Sequence, residues 1–263
     1  MTANCCQDTF IVVLFLLMKL LLHGKNSKNI ESLVKSLEVE IVNSNPDVVI
    51  SYGGDGSLLA SERLYPGIPK LPIRDSLVCK KCPTHDEKVL LQSLLKGKLN
   101  LKEYKKLETT FFYKTFTALN DFVIRNATPM HAIRFKVTSK ASHPAPAGAG
   151  SISNQVLIGD GIVLSTPFGS TGYFKSITGQ TFKKGWGLCF NNTTEKIPPV
   201  FLTDEDMVTF KLVRGSATLS FDNNQDIFKV DEGSELQFKL SDKTAKIYEL
   251  ESLRCPNCKI TTA

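Results

Sequence analysis

The chain lacks an apolar run long enough to cross a membrane. Its longest run, Phe10 to Met18, extends past Lys19 only by Leu20, Leu21 and Leu22, short of the ~20 residues a span needs. It also lacks the basic start of a secretory leader: the opening MTANCCQD has no Lys or Arg and contains Asp8. A buried first strand, MKLLLHG, preceded by an extension accounts for these residues, and Met18 supplies an alternative start to the chain. A cytoplasmic location and no membrane association are the expectation. Cysteine is scarce as well. Seven residues, oddly placed, do not make the framework of a secreted disulfide protein, and Cys5, Cys6 and Cys189 carry no evident chemistry. No internal repeat is present. Disorder is not expected over long stretches either, because 42% hydrophobic and 22% charged residues is the composition of a packed globular chain.

The formal charge of +6 does not amount to a nucleic-acid footprint. The densest basic stretch holds Lys96, Lys98, Lys102, Lys105 and Lys106, but no aromatic stacking pattern accompanies it, so it reads as a solvated surface face. A mild positive field does suit polyphosphate substrates.

Along the chain, Ile30, Leu33, Val34 and Leu37 fall on one helical face, with Ser27 or Asn29 placed to cap it. After Pro46, Val48 to Ile50 form a fully apolar strand that runs into Gly53-Gly54-Asp55-Gly56-Ser57. Leu58 to Leu64 read as helix. Strand, helix, strand in this order implies an α/β layer with parallel pairing. Residues 66 to 84, with Pro66, Pro69, Pro72 and Pro83, read as loop or edge structure, and Asp86 to Lys96 as a helix stopped by Gly97. From about Glu108 the pattern turns to strands: Ile133, Phe135 and Val137 alternate, as do Phe210 with Leu212, Leu219 with Phe221, and Leu236, Phe238 and Leu240. Ser142 to Gly150 reads as a loop between two of them. A small α/β domain followed by a β-rich one is the expected organisation.

Two segments carry chemistry. In Gly53-Gly54-Asp55-Gly56-Ser57, glycines allow a tight turn and close approach of a ligand, and amides at the following helix start favour phosphate. A carboxylate among such amides repels an anion unless it has a task. Asp55 is suited to hold Mg²⁺ on phosphates or to accept the proton of an attacking hydroxyl; the plainer reading is a turn whose Asp caps the next helix. The second segment, Gly159-Asp160-Gly161-Ile162-Val163-Leu164-Ser165-Thr166-Pro167-Phe168-Gly169-Ser170-Thr171-Gly172-Tyr173, sets a strand between two glycine-rich turns. The second turn is dense in hydroxyls fit for ribose or phosphate oxygens, and Tyr173 offers a flat face to a ring.

These segments resemble the NAD kinase family. GGDGS at 53–57, LND at 119–121 and GDG…STPFGSTGY at 159–173 stand in that family's order, with a weaker match at Phe221-Asp222-Asn223, where the family usually has Asp-Gly. The resemblance spans roughly residues 19 to 250. It implies an N-terminal α/β domain like that of NAD and diacylglycerol kinases (1–108, with 251–263 returning to it), a β-rich NAD-binding domain (109–250), and an active site between them. It further implies that Asp55 is the catalytic carboxylate near the ribose hydroxyl, and that Gly53, Gly54, Gly56 and Ser57 shape the phosphate loop. Asn120 and Asp121 would bind NAD; the alternative for them is an Asx turn beside a strand. Asp160 would lie toward the nicotinamide, often across a subunit interface. Ser165, Thr166, Thr171, Gly172, Tyr173, Ser176 and Asp222 would line the dinucleotide pocket. The implied reaction moves a phosphoryl group from ATP or polyphosphate to the 2′-hydroxyl of NAD's adenosine ribose, with Mg²⁺ on the donor, in a homodimer or homotetramer. Nucleic acid is not an expected partner.

Several positions depart from the family pattern. Asp121 stands where Glu is typical, Phe168 where a small hydroxyl residue is usual, and Gly172 where Ala is usual. The customary Gly-Phe-Leu region after the first motif is replaced by a segment rich in Pro and Cys, and the late Pro-His stretch is shortened to Cys189-Phe190-Asn191-Asn192. Two C-x-x-C pairs are additions, Cys79 with Cys82 and Cys255 with Cys258. Each has the gap of a zinc knuckle, and four thiolates would complete a tetrahedral structural site if the returning chain end brings them together. Free thiols, a disulfide or a redox pair are the alternatives, and His85 is a possible substitute ligand. The other functional readings are a nucleotide sensor without turnover, and a lipid or sugar kinase sharing the Gly-Gly-Asp-Gly loop.

Overall fold

The computed structural model describes residues 17–75, 86–140 and 155–249. Strands and helices alternate first: β1 (Met18–His23), α1 (Lys28–Lys35), β2 (Val39–Ile41), β3 (Val48–Tyr52), α2 (Asp55–Leu64), β4 (Lys70–Ile73) and α3 (Glu87–Leu95). Strands then dominate: β5 (Asn100–Phe111), β6 (Lys114–Ala118), β7 (Asp121–Asn126), β8 (Ile133–Lys140), β9 (Leu157–Gly159) and β10 (Gly161–Ser165). After a 3-10 turn at Gly169–Thr171 come α4 (Tyr173–Thr178), β11 (Trp186–Asn191), β12 (Val200–Leu202), β13 (Met207–Arg214), β14 (Ala217–Phe221), β15 (Phe228–Val230) and β16 (Glu235–Glu249).

Two sheets result. The first is mixed. Its strands run β2-β1-β3-β4-β16-β13-β8-β9, with β5 and β6 branching from β16. β1 to β4 pair in parallel, and β16 joins β4 in parallel at Ile247 and Lys70. The second sheet, β12-β11-β10-β7-β14-β15, is antiparallel throughout. α1 and α3 bury Ile30, Val34, Leu90, Leu91 and Leu94 against Leu20, Val48, Ile50 and Leu71. Removing that apolar surface from water is the driving force for the layer. The larger core lies between the second sheet and the antiparallel strands of the first, where Phe122 meets Phe238 at 5.5 Å between ring centroids. The alternating strands foreseen in the sequence turn Ile133, Phe135, Val137, Phe210, Leu212, Leu236 and Phe238 into this core.

The structure corrects four local expectations. Residues 70–73 form an interior strand, buried at every position, rather than loop or edge. Pro72 is tolerated because Pro69 and Ile73 present their carbonyls to β3. By the strand's alternation Pro72 faces the other side, where the pairing with β16 stops at Lys70. Strand structure begins at Asn100, not Glu108. Lys106, assigned to a solvated face, is buried. Finally, neither Ser27 nor Asn29 caps α1 through its side chain: Ser27 holds the cap position without such a bond, and Asn29 lies inside the helix. By contrast Asp86 caps α3, accepting from the Lys88 and Val89 amides. The loop expected at 142–150, His85 and the returning segment 251–263 lie outside the described residues.

Candidate active site

The segment between β3 and α2 is shaped by glycine. Gly53 has φ +145°, and a Cβ on it would come within 2.3 Å of the Ser57 hydroxyl; its amide donates to the Ile73 carbonyl at 2.8 Å. Gly54 and Gly56 have ordinary φ, and a Cβ on either would meet nothing within 4 Å. Neither backbone conformation nor packing within the chain therefore requires glycine at 54 or 56. Open space beside the amides of a helix start, ready for a close-approaching anion, is the remaining reason for them.

Asp55 opens α2 as an exposed carboxylate, and the Arg74 guanidinium stands 3.5 Å from it. Arg74 was not foreseen as a site residue. It follows β4, whose Ile73 pairs with Tyr52 at the end of β3, so both strands deliver their loops to one carboxyl edge, the edge where parallel sheets place ligands. Its Nε is buried with no hydrogen-bond partner among the described residues, leaving donor capacity for an anion.

The turn at residues 119–120 is held from two sides. Asp222 accepts from the amides of Leu119 and Asn120, both at 2.7 Å. Opposite, the Thr166 hydroxyl donates to the Leu119 carbonyl at 2.6 Å, and the Thr166 amide and Ser165 hydroxyl reach the Asn120 carbonyl at 2.9 and 3.3 Å. Gly169 lies against the same peptide: a Cβ there would stand 2.2 Å from the Asn120 oxygen. Asp222 itself has φ 47° and Asn223 φ 51°, a left-handed conformation that Asn accepts in place of glycine.

α2 closes onto this turn. Leu58 and Leu59 cluster with Leu119, Ala245 and Ile247, and Phe168 and Tyr104 pack against them. Three segments remote in sequence (53–59, 119–121 and 165–169) are thereby brought together. Phe168 fills the contact, so the departure from a small hydroxyl residue is a packing feature.

Asp121 lies opposite Ser165 in the β7–β10 register and is buried. Burial, with the nearby Asp222 charge, pushes its carboxyl up to about 7. Burial raises Asp222 to about 6, against backbone amides and Lys106, which favour its charged form. Cys189, on the neighbouring strand, is buried and pushed up to about 12, so it is an inert thiol.

Thr171 and Gly172 are exposed at the start of α4. Tyr173 is half-buried, its hydroxyl accepting from Asn191 Nδ2 at 3.3 Å, and the exposed Ser176 hydroxyl donates to the Tyr173 carbonyl at 2.7 Å. Asp160 lies beside the Asn191 that meets Tyr173, its amide donating to the Asn191 carbonyl at 2.9 Å, but away from the 119–121 turn. It lies at the far end of β10 from Ser165, on the order of 15 Å away at the rise of a strand. There it receives Asn192 Nδ2 at 3.2 Å and Asn126 Nδ2 at 3.5 Å.

A buried charge cluster supports α2 from behind. Glu62, two turns after Asp55, pairs with both Lys70 and Lys106, and Lys70 also donates to the Tyr65 carbonyl. Beside it a cleft of about 730 Å³ opens next to Asp222, lined by Arg63, Lys106, Lys243 and Lys246 together with Glu62 and Asp226.

The four cysteines expected as zinc ligands, Cys79, Cys82, Cys255 and Cys258, all lie outside the described residues. Among the described residues no three His, Cys, Asp or Glu side chains converge as a metal cage. Asp55 offers a hard oxygen, which fits Mg²⁺ that takes its other ligands from substrate phosphates and water. No described helix is long and apolar enough to cross a membrane.

No family model matches the chain. Among curated proteins, it is 26% identical over 232 residues to the NAD kinase of Natranaerobius thermophilus, covering 80% of this chain and 75% of that one. It is 28% identical over 172 residues to the NAD kinase of Sulfurisphaera tokodaii, covering 61% of this chain and 63% of that one. Among solved structures, an NAD kinase from Archaeoglobus fulgidus in complex with ATP superposes with a TM-score of 0.68 at 18% identity, covering 90% and 95% of the two chains. Yeast NADH kinase complexed with NADH superposes at 0.72 and 15% identity, covering 93% and 85%. The sequence matches carry the kinship; the structural ones establish the shared fold.

Proposed function

Because the chain belongs to the NAD kinase family, we propose that it transfers a phosphoryl group from ATP or polyphosphate to the 2′-hydroxyl of NAD's adenosine ribose. The observation that carries this reading is the convergence of α2, the 119–121 turn and the 165–169 loop on one cluster. In it an exposed carboxylate and open glycines face outward from a helix start.

In this reading the amides at Gly54 to Gly56 and the Arg74 guanidinium hold donor phosphates, and the Asn120–Asp121 turn holds the ribose. Asp55 accepts the proton of the attacking 2′-hydroxyl. Mg²⁺, when bound, neutralises developing charge on the donor phosphates. Catalysis then rests on positioning more than on covalent chemistry. Tyr173, Thr171, Gly172 and Ser176 extend the dinucleotide surface along α4. Asp160 adjoins the Tyr173 end of that surface, its amide donating to the Asn191 carbonyl while Asn191 Nδ2 donates to the Tyr173 hydroxyl, where it would face the nicotinamide, of its own chain or of a second copy in a homo-oligomer.

The test is NADP formation by purified protein given NAD, Mg²⁺ and either ATP or polyphosphate, beside Asp55→Asn. Wild-type turnover that falls by at least about a hundredfold in the variant, with NAD binding retained, is expected. Equal rates in the two proteins would remove Asp55 from the reaction. NAD binding without product from either donor would replace the kinase with a dinucleotide sensor.

A further inference from the structure

On the far side of Phe168 from α2, a second and larger cleft of about 1020 Å³ contains none of the motif carboxylates. Two ring pairs lie in its walls. Tyr104 and Phe168 meet edge-on at 5.0 Å, and Phe182 and Phe201 do so at 5.7 Å. Phe201 on β12 is 37% exposed. The same walls carry Lys102, Lys105, Lys183 and Lys184 against the acidic Glu103 and Asp204. Both acids are engaged: Glu103 accepts from the Thr244 hydroxyl at 2.9 Å, and Asp204 pairs with Lys105. Lys183 and Lys184 are exposed.

We propose that this cleft binds a phosphorylated aromatic ligand of nucleotide size, at a site that shares the Phe168 and Tyr104 rings with the motif cluster but none of its carboxylates. Its volume is in the range of small-molecule pockets. The exposed Phe201 and the partly buried rings beside it offer stacking faces to any base without selecting among them, and the adjacent Lys183 and Lys184 supply the charge that phosphates need. A purely apolar ligand would make no use of those two ammonium groups; inorganic phosphate would leave the rings unused. A flat ring joined to phosphates uses both.

The protein contains its own reporter. Trp186 is the only tryptophan. It is fully buried, and its indole N–H donates to the carbonyl of Thr203, a wall residue of the cleft, at 2.7 Å. ADP titrated into the full-length protein, followed by Trp186 fluorescence, is expected to give a saturable change, with adenosine and pyrophosphate each binding more weakly than ADP. Charge reversal of the exposed pair, Lys183→Glu with Lys184→Glu, should weaken that ADP response by about tenfold or more, and Phe201→Ser should weaken it without altering charge. Arg74→Gln, which removes the guanidinium assigned to donor phosphates at the motif cluster, should not abolish it. An ADP response equal in all variants, or one lost only with Arg74→Gln, would overturn the proposal, as would a change in elution volume showing the lysines to lie between two copies of the chain. None of these readouts needs turnover, so the proposal stands or falls independently of the kinase reading.

Discussion

At the scale of single residues, the adjacent carboxylates Asp121 and Asp222 are the informative pair. Both are buried, yet they are provided for differently. Asp222 accepts two backbone amides at 2.7 Å, whereas Asp121 has burial and a like charge against its ionised form. Asp121 therefore holds its proton in the folded chain up to about pH 7, while an unfolded Asp releases it near 4. Between those values the folded state binds more protons, so stability is highest at the acid end and falls as pH rises through the window. The slope is about 1.4 kcal/mol per pH unit for each extra proton held. Urea unfolding at pH 5, 6, 7 and 8 checks this. Wild type should lose more stability than Asp121→Asn from pH 5 to about 7, Asp222 contributing its own loss in both, and parallel curves for the two proteins would contradict the assignment.

Among elements, α2 joins the motif to the rest of the molecule. Its first turn carries Asp55 and its third carries Glu62, fixed by Lys70 from β4 and Lys106 from β5. Replacing Glu62 by Gln leaves the buried Lys70 without its counter-charge and Lys106 with only the nearby Asp222, a loss of about 3–5 kcal/mol by analogy with broken buried ion pairs. The expected result in urea is a large fall in midpoint with the slope unchanged, and a variant as stable as wild type would show the cluster to be ornamental. What the sequence made legible here was local. The apolar run Val48 to Ile50 read as β3, the glycine motif as the turn before α2, and the periodicity of Ile30 and Val34 as α1, because each depends on near neighbours in the chain. Glu62, Lys70, Lys106 and Arg74 were not legible, because their partners lie at separations only the fold closes: Glu62 is 44 residues from Lys106. Pro72 misled for the same reason. Whether a proline disrupts a strand depends on which edge its nitrogen faces, and that is a property of the sheet. Asp222, by contrast, stands out through its motif as a pocket residue, and what the structure shows is that it holds the amides of Leu119 and Asn120.

The whole molecule decides whether these elements behave as one body. An α/β part followed by a β-rich part suggests two units able to unfold separately, but the strand pairing argues otherwise. β16 pairs in parallel with β4, and antiparallel with β5 and β13, so a single sheet runs from β2 to β9 through both parts of the chain. Ile247 on that strand is buried in the same cluster as Leu58, Leu59 and Leu119, at the contact between the two halves of the candidate site. Separating the halves would expose this cluster and break the strand that joins the parallel layer to the antiparallel one. A single cooperative transition is therefore expected. Thermal melts followed by Trp186 fluorescence, which reports the antiparallel sheet, should coincide with far-UV circular dichroism, which reports all elements. Ile247→Ala should cost about 2–5 kcal/mol as a buried cavity and shift both probes equally. If the fluorescence transition stayed in place while the dichroism split, the halves would be independent. The alignment of Asp55 with the Asn120 turn would then be a matter of docking. Coincident shifts would mean that this alignment is as stable as the fold itself.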